Sequence, residues 1–464
     1  MNELGTGENP LRVAIVGSGP SGFYAAEALF RSGRRVRVDM FERLPAPFGL
    51  VRYGVAPDHP KLKEPIRVYD TIARTPGFRL FGNVAVGRDV SVAELQAAYH
   101  AVIFCSGAES DRRLGIPGED LPGSHTATEF VGWYNGHPDY RDRRFDLSQE
   151  IAVIIGQGNV AIDVCRILAK TVDELRHTDI AEHALESLAQ SRIREIHLIG
   201  RRGPAQAKFT NKEFRELGEL ADCDPIVDPA DLVLNPASEA ELTERAGAVA
   251  KKNLEILQGF AARSPRNVRR RVFIRFLLSP VELRGRARLE SVVLERNRLE
   301  GPPFHQSAVG TGERIEQPCG LLFRSIGYKG VAIPGVPFDA KQGVFPTRDG
   351  RIVDSGGKVI PGLYASGWIK RGPTGIIGTN RADSVATVTS LLADLPSLDP
   401  RPKPGAEGLE ALRRDRLRVV SYDDWLVIDQ AEVARGAPRG KPREKFTRTV
   451  EMLRLLDGPS SSAE

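Results

Sequence analysis

The chain has 464 residues, 65 Lys plus Arg against 60 Asp plus Glu, and 41% hydrophobic residues, a balance that excludes disorder and collagen and suits about three domain-sized units. No run of eighteen or more residues is both apolar and uncharged, and Met1-Asn2-Glu3-Leu4 has neither region of a secretory leader, so a cytoplasmic protein with no membrane partner is expected. The net charge of +5 is small for this length and argues against nucleic acid as a partner.

Residues 12–16 form an apolar run that feeds Gly17-Ser18-Gly19-Pro20-Ser21-Gly22. Helical periodicity follows over 23–30, then a second strand over 36–41. This is a βαβ unit carrying the dinucleotide fingerprint. Gly17 permits the tight turn, Gly19 lets the backbone approach a pyrophosphate at the helix N-terminus, and Gly22 lets helix and strand pack closely. Glu42, 20 residues beyond Gly22, ends the second strand where a carboxylate can accept hydrogen bonds from a ribose.

A strand-then-glycine segment at 101–107 comes next. Residues 151–155 then feed a second turn, Gly156-Gln157-Gly158-Asn159-Val160-Ala161, with alanine in the third fingerprint position, and a helix runs on through Leu168. A polar helix over 173–190 interrupts this unit before the strand 195–199 closes it. Arg201 and Arg202 follow that strand where the first unit has an acid, which suits the 2′-phosphate of NADP. Over 261–275, Arg263, Arg266, Arg269, Arg270, Arg271 and Arg275 occur with no acidic residue among them, a local cationic stripe.

Two more strand-then-glycine segments lie at 321–327 and 362–367. The second opens Gly367-Trp368-Ile369-Lys370-Arg371-Gly372-Pro373-Thr374-Gly375-Ile376-Ile377-Gly378, with helical periodicity over 382–395. Backbone N–H groups around Gly375, Ile376 and Ile377, aimed by the helix dipole, would stabilise negative charge on a flavin ring. Cys105, Cys165, Cys223 and Cys319 are too far apart for a C-x-x-C pair and read as inert thiols with no metal role. The stretch 458–462 reads as a disordered tail.

These elements predict an α/β fold with two Rossmann-like dinucleotide-binding domains, the NADP domain inserted into a split FAD domain: 1–108 and 335–464 for FAD, 109–334 for NADP. Two sites of opposite electrostatic character imply two cofactors, and the pairing that makes chemical sense is FAD with NADPH.

The chain resembles the adrenodoxin reductase-like ferredoxin-NADP reductases. The matching blocks are 14–22; Gly49-Leu50-Val51-Arg52-Tyr53-Gly54-Val55-Ala56-Pro57-Asp58-His59-Pro60; Gly200-Arg201-Arg202-Gly203-Pro204; and 368–375. Ordinary disulfide reductases carry an Asp where this chain has Trp368, and a redox cysteine pair that it lacks. The resemblance implies FAD contacts at Ser21, Glu42, Leu50, Val86, Trp368 and Gly375 to Ile377. It implies NADP contacts at Arg112, Gln157, Gly158, Asn159, Val160, Arg201, Arg202 and Glu213, and it sets His59 and Glu216 beside the nicotinamide. Direct hydride transfer needs no general base, so the role expected of that pair is modest.

The function expected is an enzyme that takes hydride from NADPH onto FAD and passes single electrons to a ferredoxin, an acidic iron–sulfur protein that the arginine stripe would attract. The rival reading is an electron-delivering subunit of a stable complex, like the small subunit of glutamate synthase, although the cysteine-rich cluster segments of that family do not occur here. A disulfide reductase would need a cysteine pair.

Overall fold

The computed structural model describes residues 3–413 and 417–457; the expected disordered tail at 458–462 lies outside them. The chain forms two compact units. One takes in everything up to Asp111 and again from Gly327 onward, and the other is Arg112–Ile326. The crossings fall at 111/112 and 326/327, where the sequence pattern suggests 108/109 and 334/335. A short ribbon is the reason: Ser110–Asp111 pairs antiparallel with Tyr328–Lys329, and Ser110 Oγ donates to Lys329 O at 3.0 Å, so both passages of chain stay with the first unit.

In the first unit, Leu11–Val16 lies inside a seven-stranded sheet, between Val36–Phe41 and Ala101–Phe104. Its Val13, Ala14 and Ile15 are fully buried, as a strand covered on both faces requires. Five strands are parallel, and the pairings Val16 with Phe41 and Phe104, Phe41 with Phe81, and Phe104 with Ala365 bring their C-terminal ends level. The hairpin formed by Thr347–Arg348 and Arg351–Val353 extends the edge beside Val359–Ala365. Helices Pro20–Phe30 and Thr379–Ala393 pack against each other, and Tyr422–Gly436 brings Trp425 and Ile428 into the same core.

The second unit holds six parallel strands in the order Ser124–Thr126, Leu321–Arg324, Ile151–Ile155, Glu195–Ile199, Arg270–Arg275, Cys223–Val227. A separate antiparallel sheet, Leu278–Arg284, Ser291–Glu300 and Ser307–Pro318, was not foreseen. The polar helix expected over 173–190 is two pieces, Val172–Leu175 and Glu182–Ala189. Thr178 divides them: its hydroxyl donates to Leu175 O and accepts the Ile180 N–H, a local alternative to helical bonding. Among the described residues no helix is long and apolar enough to cross a membrane.

Candidate functional site: two glycine turns at sheet edges

Each unit presents a glycine turn at the C-terminal edge of its sheet, where open α/β folds bind ligands. In the first unit Gly17 has φ +106°, and a Cβ there would lie 2.5 Å from the carbonyl oxygen of Cys105. A Cβ at Gly22 would lie 2.1 Å from Gly17 O. At Gly19 the same position is open, with no atom within 4 Å. Pro20 starts the helix at N1, where its missing N–H costs nothing, and no side chain caps the helix. The first-turn N–H groups, Ser21 and Gly22 among them, therefore face an open cradle, and the first turn of the helix carries no acidic residue, which fits a pyrophosphate.

Glu42 closes over this turn. Its Oε2 accepts from Ser18 Oγ at 2.6 Å and Ser18 N at 3.2 Å, and its Oε1 accepts from Leu44 N at 3.0 Å. A carboxylate accepts about four hydrogen bonds, so capacity remains for a ribose hydroxyl. Phe48 N donates to Ser18 O, and a Cβ at Gly49 would meet Gly19 Cα at 3.1 Å, which sets the loop before Leu50 against the turn. Leu50 is exposed at the start of the short helix Leu50–Tyr53. Val84 N bonds Glu42 O, and Val86 follows in a bridge with Val90.

The 366–380 segment joins the same edge. A Cβ at Gly367 would fall 2.0 Å from Ser21 Oγ. Asp383 holds the segment in place, accepting from Gly367 N at 2.6 Å, Ser366 Oγ at 3.1 Å and Lys370 Nζ at 2.8 Å. The indole N–H of Trp368 is buried with no partner among the described residues. The expectation for Gly375, Ile376 and Ile377 needs correcting at its middle member: Ile376 N donates to Thr379 Oγ1 at 3.2 Å, and its side chain is 67% exposed. Gly375 and Ile377 keep their N–H groups unpartnered among the described residues. His59, half-buried, caps the turn Pro60–Lys63 through its backbone.

In the second unit Gly156 has φ +136°, with its Cβ position 2.1 Å from Ser325 O, while the Cβ position at Gly158 is open. The helix Asn159–Ala169 again has no side-chain cap. Ala161 is fully buried in the third fingerprint position, and Val160 packs at the edge of the core. Gln157 and Asn159 spend their side chains on the protein: Gln157 Nε2 donates to Arg275 O at 3.0 Å, and Asn159 Oδ1 accepts Thr210 N at 2.8 Å. A Cβ at Gly200 would strike Gln157 Oε1 at 2.0 Å, so glycine is needed before the arginines to make room for that amide. Glu213 Oε2 accepts from Thr210 Oγ1 at 2.7 Å, and Glu216 ends the helix Asn211–Glu216. Arg112, half-buried, is the first residue of this unit.

Arg201 is exposed and Arg202 half-buried, and neither guanidinium makes a hydrogen bond or ion pair with any described residue. Burial, and then the Arg201 charge, hold Arg202 below the usual guanidinium range. Two adjacent cations, one of them partly desolvated and neither in an ion pair with a described acid, fit a dianionic phosphate.

A family signature described as pyridine nucleotide-disulphide oxidoreductase matches residues 11–202. The NADPH-ferredoxin reductase FprA of Mycobacterium tuberculosis is 46% identical, over 96% of this chain and 99% of that protein. The mitochondrial NADPH:adrenodoxin oxidoreductase of Bos taurus is also 46% identical, over 97% and 93%. The solved structure of M. tuberculosis FprA in complex with NADPH superposes with a TM-score of 0.92, covering 97% of this chain and all of that one. The chain belongs to the NADPH-ferredoxin and NADPH:adrenodoxin reductase family.

For a member of this reductase family the arginine stripe holds a surprise. Asp222 and Asp224, distant in sequence, run beside it. Arg266 Nε bonds Asp224 Oδ1 at 2.6 Å, and Arg269 N bonds Asp222 Oδ1. Arg263 lies over the Phe260 ring and donates to Gly218 O. Arg270 is buried, because alternate residues of the strand Arg270–Arg275 point to opposite faces, and Arg275 bonds Gln317 Oε1. The six therefore do not form one free cationic face; Arg263, Arg269 and Arg271 are the exposed members whose guanidiniums make no hydrogen bond or ion pair with a described acid, that of Arg269 donating to Ser191 O instead.

Proposed function

We propose that the chain holds FAD at the first turn and NADPH at the second, and reduces an acidic ferredoxin-type iron–sulfur protein, the activity carried in the names of its relatives. The observation that carries this reading is the contrast between the turns: one partner strand is followed by Glu42, the other by the cations Arg201 and Arg202, whose guanidiniums make no ion pair with a described residue. FAD held at the first turn would supply the exchange between two-electron hydride chemistry and one-electron transfer. The protein supplies placement and charge. N–H groups after Gly19 bind one pyrophosphate, those after Gly158 the other, and Glu42 orients a ribose. Leu50, Val86 and Trp368 line the flavin, while the N–H groups of Gly375 and Ile377 meet negative charge as it develops on the ring. Gln157, Asn159, Val160, Glu213 and Arg112 border the NADPH site. His59 and Glu216 tune the reaction beside the nicotinamide, and His59→Ala or Glu216→Gln should slow hydride transfer in stopped flow without abolishing it.

The partner docks, in this reading, through Arg263, Arg269 and Arg271, which favour fast association with an acidic surface more than tight binding. The compartment it assumes is the cytoplasm, which keeps thiols such as these reduced. The test is reduction of cytochrome c by the purified yellow protein with NADPH and an acidic ferredoxin across a salt series. Ferredoxin-dependent reduction that falls as salt rises is expected. Dye reduction that no ferredoxin accelerates at any salt would overturn it.

A further inference from the structure

The segment after the strand Glu195–Ile199 is held through its backbone while its two guanidiniums stay unpaired. Four successive carbonyls each accept one donor: Gly200 O from Leu278 N at 3.0 Å, Arg201 O from Asn297 Nδ2 at 2.8 Å, Arg202 O from Leu277 N at 3.1 Å, and Gly203 O from Gln206 N at 3.1 Å. Three of the four donors are backbone groups of neighbouring elements. The second is a side chain, and it belongs to the antiparallel sheet rather than to the Rossmann core.

That side chain is placed by two irregularities. The pairing of Ser291–Glu300 with Ser307–Pro318 slips between Glu295 and Asn297, a bulge of the kind that re-aims a side chain. Thr311 Oγ1 on Arg296 O and Gly312 N on Glu295 Oε1 fix the slip. Leu277 has φ +55°, a conformation leucine rarely adopts, which turns its N–H to Arg202 O while its carbonyl accepts the N–H of Asn297 at 2.7 Å. Asn297 is buried, and its amide nitrogen is shared between Arg201 O and Ser279 Oγ, each at 2.8 Å. A buried amide in a bulge beside a strained residue contributes little to a sheet. It contributes much to a loop whose two charged side chains must converge on one group.

We propose that Asn297 is a positioning residue for coenzyme choice, fixing the Arg201 carbonyl so that both guanidiniums address the same 2′-phosphate; this rests on the reading that Arg201 and Arg202 take NADPH. Asn297 never touches the coenzyme. It removes the freedom that the loop would otherwise lose on binding, so its loss should fall on the 2′-phosphate alone.

The probes are 2′,5′-ADP and 5′-AMP, titrated calorimetrically into the holoenzyme. Asn297→Ala should lower the preference for 2′,5′-ADP by about tenfold and leave 5′-AMP unchanged. Asn297→Asp, which keeps the shape but offers Arg201 O an acceptor in place of a donor, should lower it at least as far and carries the test if the alanine variant does not fold. Wild-type preference in Asn297→Asp, or equal losses for both probes, would overturn the proposal. Arg201→Ala and Arg202→Ala stand beside them: if these keep the preference for 2′,5′-ADP, the reading of the arginines fails, whereas a loss there with none at Asn297 sinks the positioning role by itself.

Discussion

Arg52 and Glu432 form a doubly hydrogen-bonded ion pair, at 2.9 and 2.5 Å, in which neither side chain reaches solvent. Arg52 also lies 4.9 Å from the ring centroids of Tyr53 and Trp425. The pair ties the short helix that begins at Leu50 to the late helix Tyr422–Gly436, far along the chain. Removing one member strands a buried charge. Glu432→Ala should therefore cost about 3–5 kcal/mol in chemical denaturation, whereas Arg52→Met with Glu432→Leu should recover most of that loss.

The two glycines of the first turn should fail in different ways. Gly17→Ala forces a Cβ to within 2.5 Å of Cys105 O at φ +106°, so the fold itself should suffer, with a lowered Tm whether or not flavin is present. Gly19→Val points into open space and should give a folded protein that purifies colourless. Stoichiometric flavin in the folded Gly19→Val protein would count against the pyrophosphate cradle.

Coenzyme choice should answer to Arg201 and Arg202. Losing either charge-assisted contact should weaken NADPH by ~1.5–3 kcal/mol, roughly tenfold to a hundredfold in KM. NADH lacks the phosphate, so its KM should hold, and kcat should barely change because the contact is the same before and during hydride transfer. Steady-state kinetics with both coenzymes check this.

Charge reversal should separate the exposed arginines from the buried one. Arg269→Glu with Arg271→Glu should slow ferredoxin reduction and spare an uncharged dye, since only encounter is affected. Arg270→Glu should instead lower the Tm, because it buries an acid in the strand Arg270–Arg275.

All four cysteines are buried. Burial pushes the thiols of Cys223 and Cys319 up to about 12, and it raises those of Cys105 and Cys165 well above their ordinary value too. Iodoacetamide should label none of them in the native protein at pH 8 and all of them after unfolding. The unfolded chain ionises its thiols near 9 while the folded one holds them neutral, so their contribution is fully present below pH 9. It is lost as pH climbs toward 12, and denaturation midpoints should fall over that range.

How much of this was legible in the sequence depends on distance along the chain. The turns at Gly17 and Gly156 were legible because each glycine answers to a backbone neighbour that any strand–turn–helix must supply. Glu42 and the Arg201–Arg202 pair were legible because the length of a βαβ unit fixes where its second strand ends. The arginine stripe misled because Asp222 and Asp224 reach it only through the sheet, although the period of two in Arg270–Arg275 would have shown that Arg270 and Arg271 part company. Nothing local marks Asn297: a bulge is a property of two strands, and its partner lies across a turn.

The ribbon that joins Ser110–Asp111 to Tyr328–Lys329 means that the segment 112–326 leaves and returns through one doorway. A module whose ends already meet needs no new linker to be gained, lost or exchanged. In a gene this is a single contiguous cassette, so a pair of crossovers at its two ends could swap residues 112–326 for a homologue's while the first unit kept every strand of its own sheet.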